Sequence, residues 1–410
     1  LPERYFQHTF DNGLTLLAER MPGMQSAAMT LLIPAGSATD PVDRSGSATV
    51  LSDLVLRGAG DRDNKQLTDH LDGLGLQRSS GVGIHHSRFG CAALADKVMA
   101  GLPTYADIVR RPRLADDGFE PAQDLALQAL QGIDDEPGQK LRIKLREWFF
   151  PSPYGRNTMG VTDDLEKLTI DFCRADHRNR YNAKGSILAV AGAVEFERLK
   201  DAVETAFGDW GGVSPEPEAE MPPPGRFHHE HQQSEQTHIG IAYPSVLETD
   251  PDYYTVRLAV EVLSGGMSGR LFTELREKRG LVYGVSAGYA SLRHHGAIFG
   301  NASASNERAQ ATLDCFVGEL NRMTLGVTQA ELDRAKIGLK SNTIMQGEST
   351  SSRAGAIAHD FFTRGRIRTL EEVKAAIDAV TLDRVNAYLK AHPPGPLTIV
   401  TVGPKQLVLP

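Results

Sequence analysis

A chain of 410 residues, 40% hydrophobic and 23% charged, is long enough for two domains that each bury a core, and its make-up is that of a globular protein. A formal net charge of −8 argues against nucleic acid or anionic membrane as a partner, and the best apolar run, Ile187 to Val194, is far too short to span a bilayer. Cys91, Cys173 and Cys315 stand apart with no CxxC spacing, which excludes a disulfide framework and a thiolate zinc site and leaves three buried thiols.

Phe10 to Arg20 reads as a hairpin turned at Asn12-Gly13, a pair that favours the type I′ turn. Ala27 to Ile33 is a strand closed by Pro34. Helices are expected over Gly46 to Arg57 and over Lys65 to Leu74. Val82 to Ala93 has strand character, and Lys97 to Arg110 and Gln123 to Gly132 are helical. His85-His86 falls in that strand region and His294-His295 in its later counterpart. Neighbours on a strand face opposite ways, so neither pair can chelate jointly, and both read as structural.

Gly211 to Gly225, GGVSPEPEAEMPPPG, carries too much proline and acid to bury a core and reads as an extended linker. It separates an N-terminal domain, residues 1–210, from a C-terminal domain, residues 226–410. His228-His229-Glu230-His231 follows the linker with neither HExxH nor HxxEH spacing. His229 and His231 share one strand face, and the run reads as solvated strand-edge histidines.

The order of elements then recurs. Strand Ile239 to Tyr243 ends at Pro244, and Thr249-Asp250-Pro251 repeats Thr39-Asp40-Pro41 at an offset of 210 (250 − 40). A helix from Tyr253 to Leu263 answers the one at 46–57. Thr273 with Gly280-Leu281 answers Thr68 with Gly75-Leu76. One repeat of this length marks a duplicated domain. The fold class is α+β: two homologous α/β-sandwich halves, each with a mixed, mostly antiparallel sheet and helices.

Leu263 to Tyr289 carries the candidate chemistry. Ser264-Gly265-Gly266 breaks the helical pattern, and Gly265, Gly266 and Ser268 form a helix-entry turn suited to touching substrate. No P-loop lysine or GxGxxG accompanies it, so a phosphate cradle is not expected. From Ser268 a helix with Leu271, Phe272 and Leu275 on its apolar face runs to Gly280. A strand over Leu281 to Val285 then carries Tyr283. That order can set Arg276 beside Tyr283, a fixed guanidinium and a phenol suited to holding a peptide carbonyl or its oxyanion. Beyond it, 326–379 is mostly helical with breaks at Gln346–Ser352 and Gly365-Arg366, and Leu397 to Val402 is a final strand.

Residues 268–289 resemble the arginine/tyrosine segment of the pitrilysin/insulinase family of zinc metallopeptidases, the inverzincins. The resemblance implies two halves arranged as a clamshell around a peptide, with zinc held by H-x-x-E-H on an early helix and by a later glutamate. On the corresponding helix here, Gly46 to Gly58, the polar trio is Thr49, Ser52 and Asp53, and Leu56-Arg57-Gly58 keeps the family's register. The later glutamate falls at Ala129 or Gln128. These residues are not a zinc ligand set, so no cofactor is expected in this chain. The resemblance then implies a non-zinc-binding subunit, inactive alone, whose homologous partner keeps HxxEH and binds the zinc. Arg276 and Tyr283 would act there on a peptide or unfolded protein. The alternative is a non-catalytic scaffold or peptide-binding subunit, as in members built into respiratory complexes; a third reading is an enzyme with its own metal at the histidine cluster. A first residue Leu1 in place of methionine fits a removed signal peptide and a periplasmic protein, with a cytoplasmic location as the alternative.

Overall fold

A strand buried on both faces shows no polar alternation, and strands of this kind form the middle of both sheets. The computed structural model describes residues 4–409. The first sheet comprises β1 (Tyr5–Thr9), β2 (Thr15–Arg20), β3 (Ser26–Ile33), β4 (Gln77–Val82), β5 (Ser87–Leu94) and β6 (Ile187–Gly192) in the order β1-β2-β6-β3-β5-β4. The second comprises β7 (Phe227–His231), β8 (Gln236–Ser245), β9 (Gly284–Leu292), β10 (His295–Ser305) and β11 (Thr398–Gly403) in the order β7-β11-β8-β10-β9. Strand for strand, β7-β11-β8-β10-β9 repeats β2-β6-β3-β5-β4. In each sheet one pair is parallel, β2 with β6 and β7 with β11, and the rest are antiparallel. The two homologous α/β halves read from the 210-residue repeat are therefore present, with β1 added to the first.

The helices of eight or more residues are α1 (Ser47–Leu54), α2 (Asn64–Gly73), α3 (Ala95–Arg110), α4 (Asp116–Asp134), α5 (Pro137–Phe149), α6 (Ile170–Arg180) and α7 (Phe196–Phe207). In the second half follow α8 (Tyr253–Ser264), α9 (Ala309–Arg322), α10 (Gln329–Gly347), α11 (Thr350–Arg364), α12 (Leu370–Asp378) and α13 (Leu382–Ala391). Alternation along β6 divides its side chains. Leu188 and Val190 join the core under α1, α3 and α7, whereas Ile187 and Ala189 meet Ile357 and Ala358 of α11 on the other face. Along the second sheet, Ile239, Ile241 and Ile399 face α8 and α9. Ala242, Val400 and Val402 face Leu141 and Leu145 of α5.

Two helices are thus exchanged between the halves. α5, encoded before the linker, covers the second sheet; α11, encoded near the C-terminus, covers the first. One compact unit runs through Gly132 and takes in Arg156–Glu220 and Gln346–Ile367. The other takes Ile133–Gly155, Met221–Met345 and the chain from Arg368 onward. The homologous halves and the compact units are different partitions of the chain. Leu141 and Leu145, one helical turn apart, stabilise the second unit by roughly 1.5–3 kcal/mol each. Gly240 permits the close approach, since a Cβ there would lie 3.0 Å from the Leu145 Cδ2.

Several local expectations change. The first hairpin turns over residues 10–14, and only Gly13 has positive φ, so the type I′ turn does not form. Asn12 instead spends its side chain on the Leu14 N–H (3.0 Å) and the Phe207 carbonyl (2.7 Å). The run from Val82 to Ala93 splits at residues 83–86 into β4 and β5. His85 and His86 therefore lie on a turn, both rings against Phe362, at 5.1 and 4.4 Å. Cys91 and Cys173 are buried thiols, whereas Cys315 is half-exposed. Among the described residues no helix is long and apolar enough to cross a membrane.

Candidate functional site

α1 is held by groups distant in sequence. Gly46, at φ 96°, precedes its first turn, where a Cβ would strike the Met159 carbonyl at 2.7 Å. Asp40 does the capping. Its carboxylate accepts from Gly46 N (2.7 Å), Ala48 N (3.0 Å) and Ser47 Oγ (3.1 Å). Arg180 of α6, 1% exposed, bridges Asp40 at 2.9 Å and Asp176 at 2.5 Å. The Asp250 that answers Asp40 in the repeat is exposed, and among the described residues its carboxylate accepts only the Asp252 N–H in its own turn. The repeat kept the turn in both halves and the buried ion triad in one.

On this rigid helix the expected metal positions are already committed. Thr49 Oγ1 donates to the Thr158 carbonyl at 2.7 Å, and Asp53 pairs with Arg57 Nε at 2.5 Å. Ser52 is buried on the same helix, and Ala129 and Gln128 are exposed on α4, where Ala129 offers no donor atom. This set does not fit zinc, which needs imidazole, thiolate or carboxylate ligands. Among the described residues no group of three or more His, Cys, Asp or Glu side chains is placed to hold a metal ion. The histidines after the linker are engaged instead. His228 stacks on Trp148 at 4.6 Å and meets Glu230 at 3.2 Å, and His229 Nδ1 meets Thr401 Oγ1 at 2.9 Å. Burial comes first among the causes that lower the His229 pKa, ahead of its histidine neighbours. β7 is an edge strand, as expected, but His228 and His229 are half-buried rather than solvated.

The Arg276 segment departs from an ordinary helix. A 3-10 turn at Gly266–Ser268 leads through Arg270 and Leu271 into a seven-residue π-helix, Phe272–Lys278. Gly265 and Ser268 border a small recess of about 70 Å³ against α10; Gly266, at φ 79°, and Ser268 are exposed. Leu271 and Leu275 are fully buried as expected, but Phe272 is not a core residue. Its ring lies 4.9 Å from the Arg276 guanidinium carbon, and the Tyr283 ring lies 5.0 Å from the same atom. Arg276 is thus in contact with two aromatic rings, a cation–π arrangement that holds a long side chain without using its N–H donors.

Tyr283 is not on the strand. Gly280, at φ 59°, caps the helix, and the Leu281 N–H closes back on the Leu275 carbonyl at 2.8 Å. Val282 turns into the core, so pairing with β10 starts only at Gly284 opposite Ser303. This leaves Tyr283 in the preceding bend, 80% exposed. Among the described residues neither the Arg276 guanidinium nor the Tyr283 hydroxyl has a hydrogen bond or ion pair. Their donors are free for a ligand.

Sequence reasoning missed the clamp beneath this segment. Arg270 holds Glu331 of α10 through Nε at 2.7 Å and a second nitrogen at 2.9 Å, and also reaches the Gly326 carbonyl at 3.0 Å. Ser264 Oγ ties the glycine turn to β9 by accepting the Ala287 N–H at 2.8 Å. A separation of 61 residues gives Arg270–Glu331 no signature in the sequence, whereas Phe272, four before Arg276, had one in its spacing. The Arg270 hydrogen bonds, aided by Thr328 and opposed by burial, push the Glu331 carboxyl down to about 2 from its ordinary 4.5. A depressed carboxyl stabilises the fold fully above about pH 4.5, and the contribution is lost as pH falls through about 2. Glu331→Gln is therefore expected to flatten the acid limb of thermal midpoint against pH in that window. An acid limb of unchanged slope would count against the clamp.

Comparison with known proteins covers nearly the whole chain. The family model described as insulinase (peptidase family M16) matches residues 15–161, and that described as peptidase M16 inactive domain matches residues 167–339. An uncharacterized zinc protease of Mycobacterium tuberculosis is 25% identical over 390 residues, covering 93% of this chain and 89% of its own. One from Bacillus subtilis is 23% identical, covering 94% of each chain. Among solved structures, a peptidase M16 inactive domain from Pseudomonas fluorescens superposes with TM-score 0.90 at 23% identity over 100% of both chains. A protease from Helicobacter pylori gives 0.88 at 19% identity over 98% of this chain and 100% of its own. A chain of complex III2 from Candida albicans gives 0.82 at 17% identity, over 97% and 95%.

Proposed function

The chain belongs to the pitrilysin/insulinase-like M16 peptidase family, and from that premise we propose that it is the subunit without zinc of a two-chain zinc peptidase. The observation that carries this reading is the exposed, unclaimed Arg276–Tyr283 pair in a chain whose metal positions hold no ligand set. A homologous partner with an intact HxxEH helix would bind the zinc, which supplies the activated water. This chain's part is to hold the peptide. The Arg276 guanidinium and the Tyr283 hydroxyl converge on the scissile carbonyl and stabilise the oxyanion that develops there. Gly265, Gly266 and Ser268 present an open backbone turn to the same substrate, a peptide or unfolded protein. Neither chain alone then holds both the metal and the oxyanion donors.

Metal stoichiometry tests the division. Purified with its HxxEH-bearing homologue, the chain is expected to form a one-to-one complex with about one zinc per pair. Stoichiometric zinc on this chain alone would refute the proposal. A second reading, a scaffold subunit without a part in catalysis, is favoured by the loss of all the metal positions together and by the shared fold with a complex III2 chain. It gives Arg276 and Tyr283 no task, and their substitution then leaves turnover unchanged.

A further inference from the structure

The second compact unit contains a cleft that the peptidase reading does not use. It has a volume of about 480 Å³ and lies among α8, β8, β10 and the segment that follows α13. Val256, Val260, Ile298 and Leu389 form apolar walls, and the His392 ring, stacked on Tyr388 at 4.4 Å, adds a flat one. No Asp, Glu, Lys or Arg lines it. The polar side chains are hydroxyls and the His392 imidazole, whose Nδ1 meets the Tyr388 carbonyl at 3.1 Å. Ser245 Oγ is sealed from solvent beside the Tyr388 hydroxyl without a well-formed hydrogen bond, and the Tyr243 hydroxyl has no partner among the described residues. Burial, with Tyr388 close by, pushes the Tyr243 phenol above its usual range, which keeps it a neutral O–H donor.

Apolar walls with a few convergent polar groups, in a space of several hundred cubic ångströms, are the marks of a small-molecule site. An uncompensated buried hydroxyl costs stability unless something meets it. We propose that this cleft binds a neutral amphiphile, an aromatic or aliphatic body ending in a hydrogen-bonding group that meets Tyr243 and Ser245. A formal charge on the ligand is disfavoured because no Asp, Glu, Lys or Arg lines the walls to pair with it.

Fluorescence titration of the full chain with N-phenyl-1-naphthylamine tests this, with its sulfonated analogue 8-anilinonaphthalene-1-sulfonate as the charged control. The neutral probe is expected to saturate one site and to bind at least about tenfold more tightly than the sulfonate, since an unpaired buried charge is penalised. Ala259→Phe, which fills the cleft, is expected to abolish that binding. Tyr243→Phe and Ser245→Ala keep the walls and are each expected to weaken the probe about five- to tenfold by the loss of one hydrogen bond. Thermal midpoints identify any variant that fails to fold; should Ala259→Phe do so, the two milder variants decide. Absence of saturable binding, preference for the sulfonate, or undiminished binding in the folded variants overturns the proposal.

Discussion

Arg276→Ala in the assembled two-chain peptidase is expected to lower kcat by about 10²–10³-fold, the loss that follows removal of one preorganised oxyanion donor. The guanidinium is held by ring contacts to Phe272 and Tyr283 with every N–H unclaimed, so its donors need no internal bond broken before they meet a carbonyl. Tyr283→Phe keeps the ring that packs on Arg276 and removes only the hydroxyl. Its expected effect is smaller, about tenfold to a hundredfold, the worth of one hydrogen bond to a charged group. Phe272→Leu removes one ring from Arg276 and touches no substrate, so a two- to fivefold loss is expected, about the worth of an exposed cation–π contact. All three side chains lie at the surface or half-buried, and none of the three substitutions is expected to dissociate the pair. Turnover unchanged in both Arg276→Ala and Tyr283→Phe would leave the scaffold reading in place.

Arg180→Met is expected to destabilise the first compact unit by about 3–5 kcal/mol, because it strands two buried carboxylates. Asp40 and Asp176 are each less than a tenth exposed, and Asp40 also caps α1. At roughly 2–4 °C per kcal/mol for a unit of this size, the thermal midpoint should fall by about 6–20 °C. The deficit also has a pH signature. Without the guanidinium, burial raises the Asp40 pKa in the folded state further above its unfolded value. A raised carboxyl pKa favours the folded state at low pH and works against it as pH rises, so the gap to the parent chain should narrow toward pH 4. A midpoint within a degree or two of the parent would show that the triad is not what holds α1.

The duplicated fold was legible because its two central strands leave plain marks. Apolar runs closed by Pro34 and Pro244, followed by Thr-Asp-Pro at matching places, predict β3 and β8 and the turn after each, although β8 runs on through Pro244, opposite Ala297, to Ser245. The adjacency of Arg276 and Tyr283 was also legible, since Gly280 forces the chain to reverse between them. The exchange of α5 and α11 was not. An apolar stripe such as Leu141 and Leu145 says that a helix must cover something and does not say which of two similar sheets it covers. The π-helix was hidden for a related reason, because the buried spacing of Leu271 and Leu275 is the same as in an α-helix. Tyr283 looked like a strand residue from its neighbours Val282 and Val285. The burial of Val282 beside the capped helix end moved it off the sheet. Asp176, four residues before Arg180 on the same helix, has a legible spacing, but the Arg180–Asp40 pair gave no sign, since the two lie 140 residues apart.

Peptidase activity on an unstructured peptide with zinc present, for this chain alone and mixed with its HxxEH-bearing homologue, tests the central claim most directly. The account predicts hydrolysis only in the mixture, abolished by a chelator and restored by zinc. Hydrolysis by this chain alone, or no hydrolysis in the zinc-loaded mixture, would contradict it.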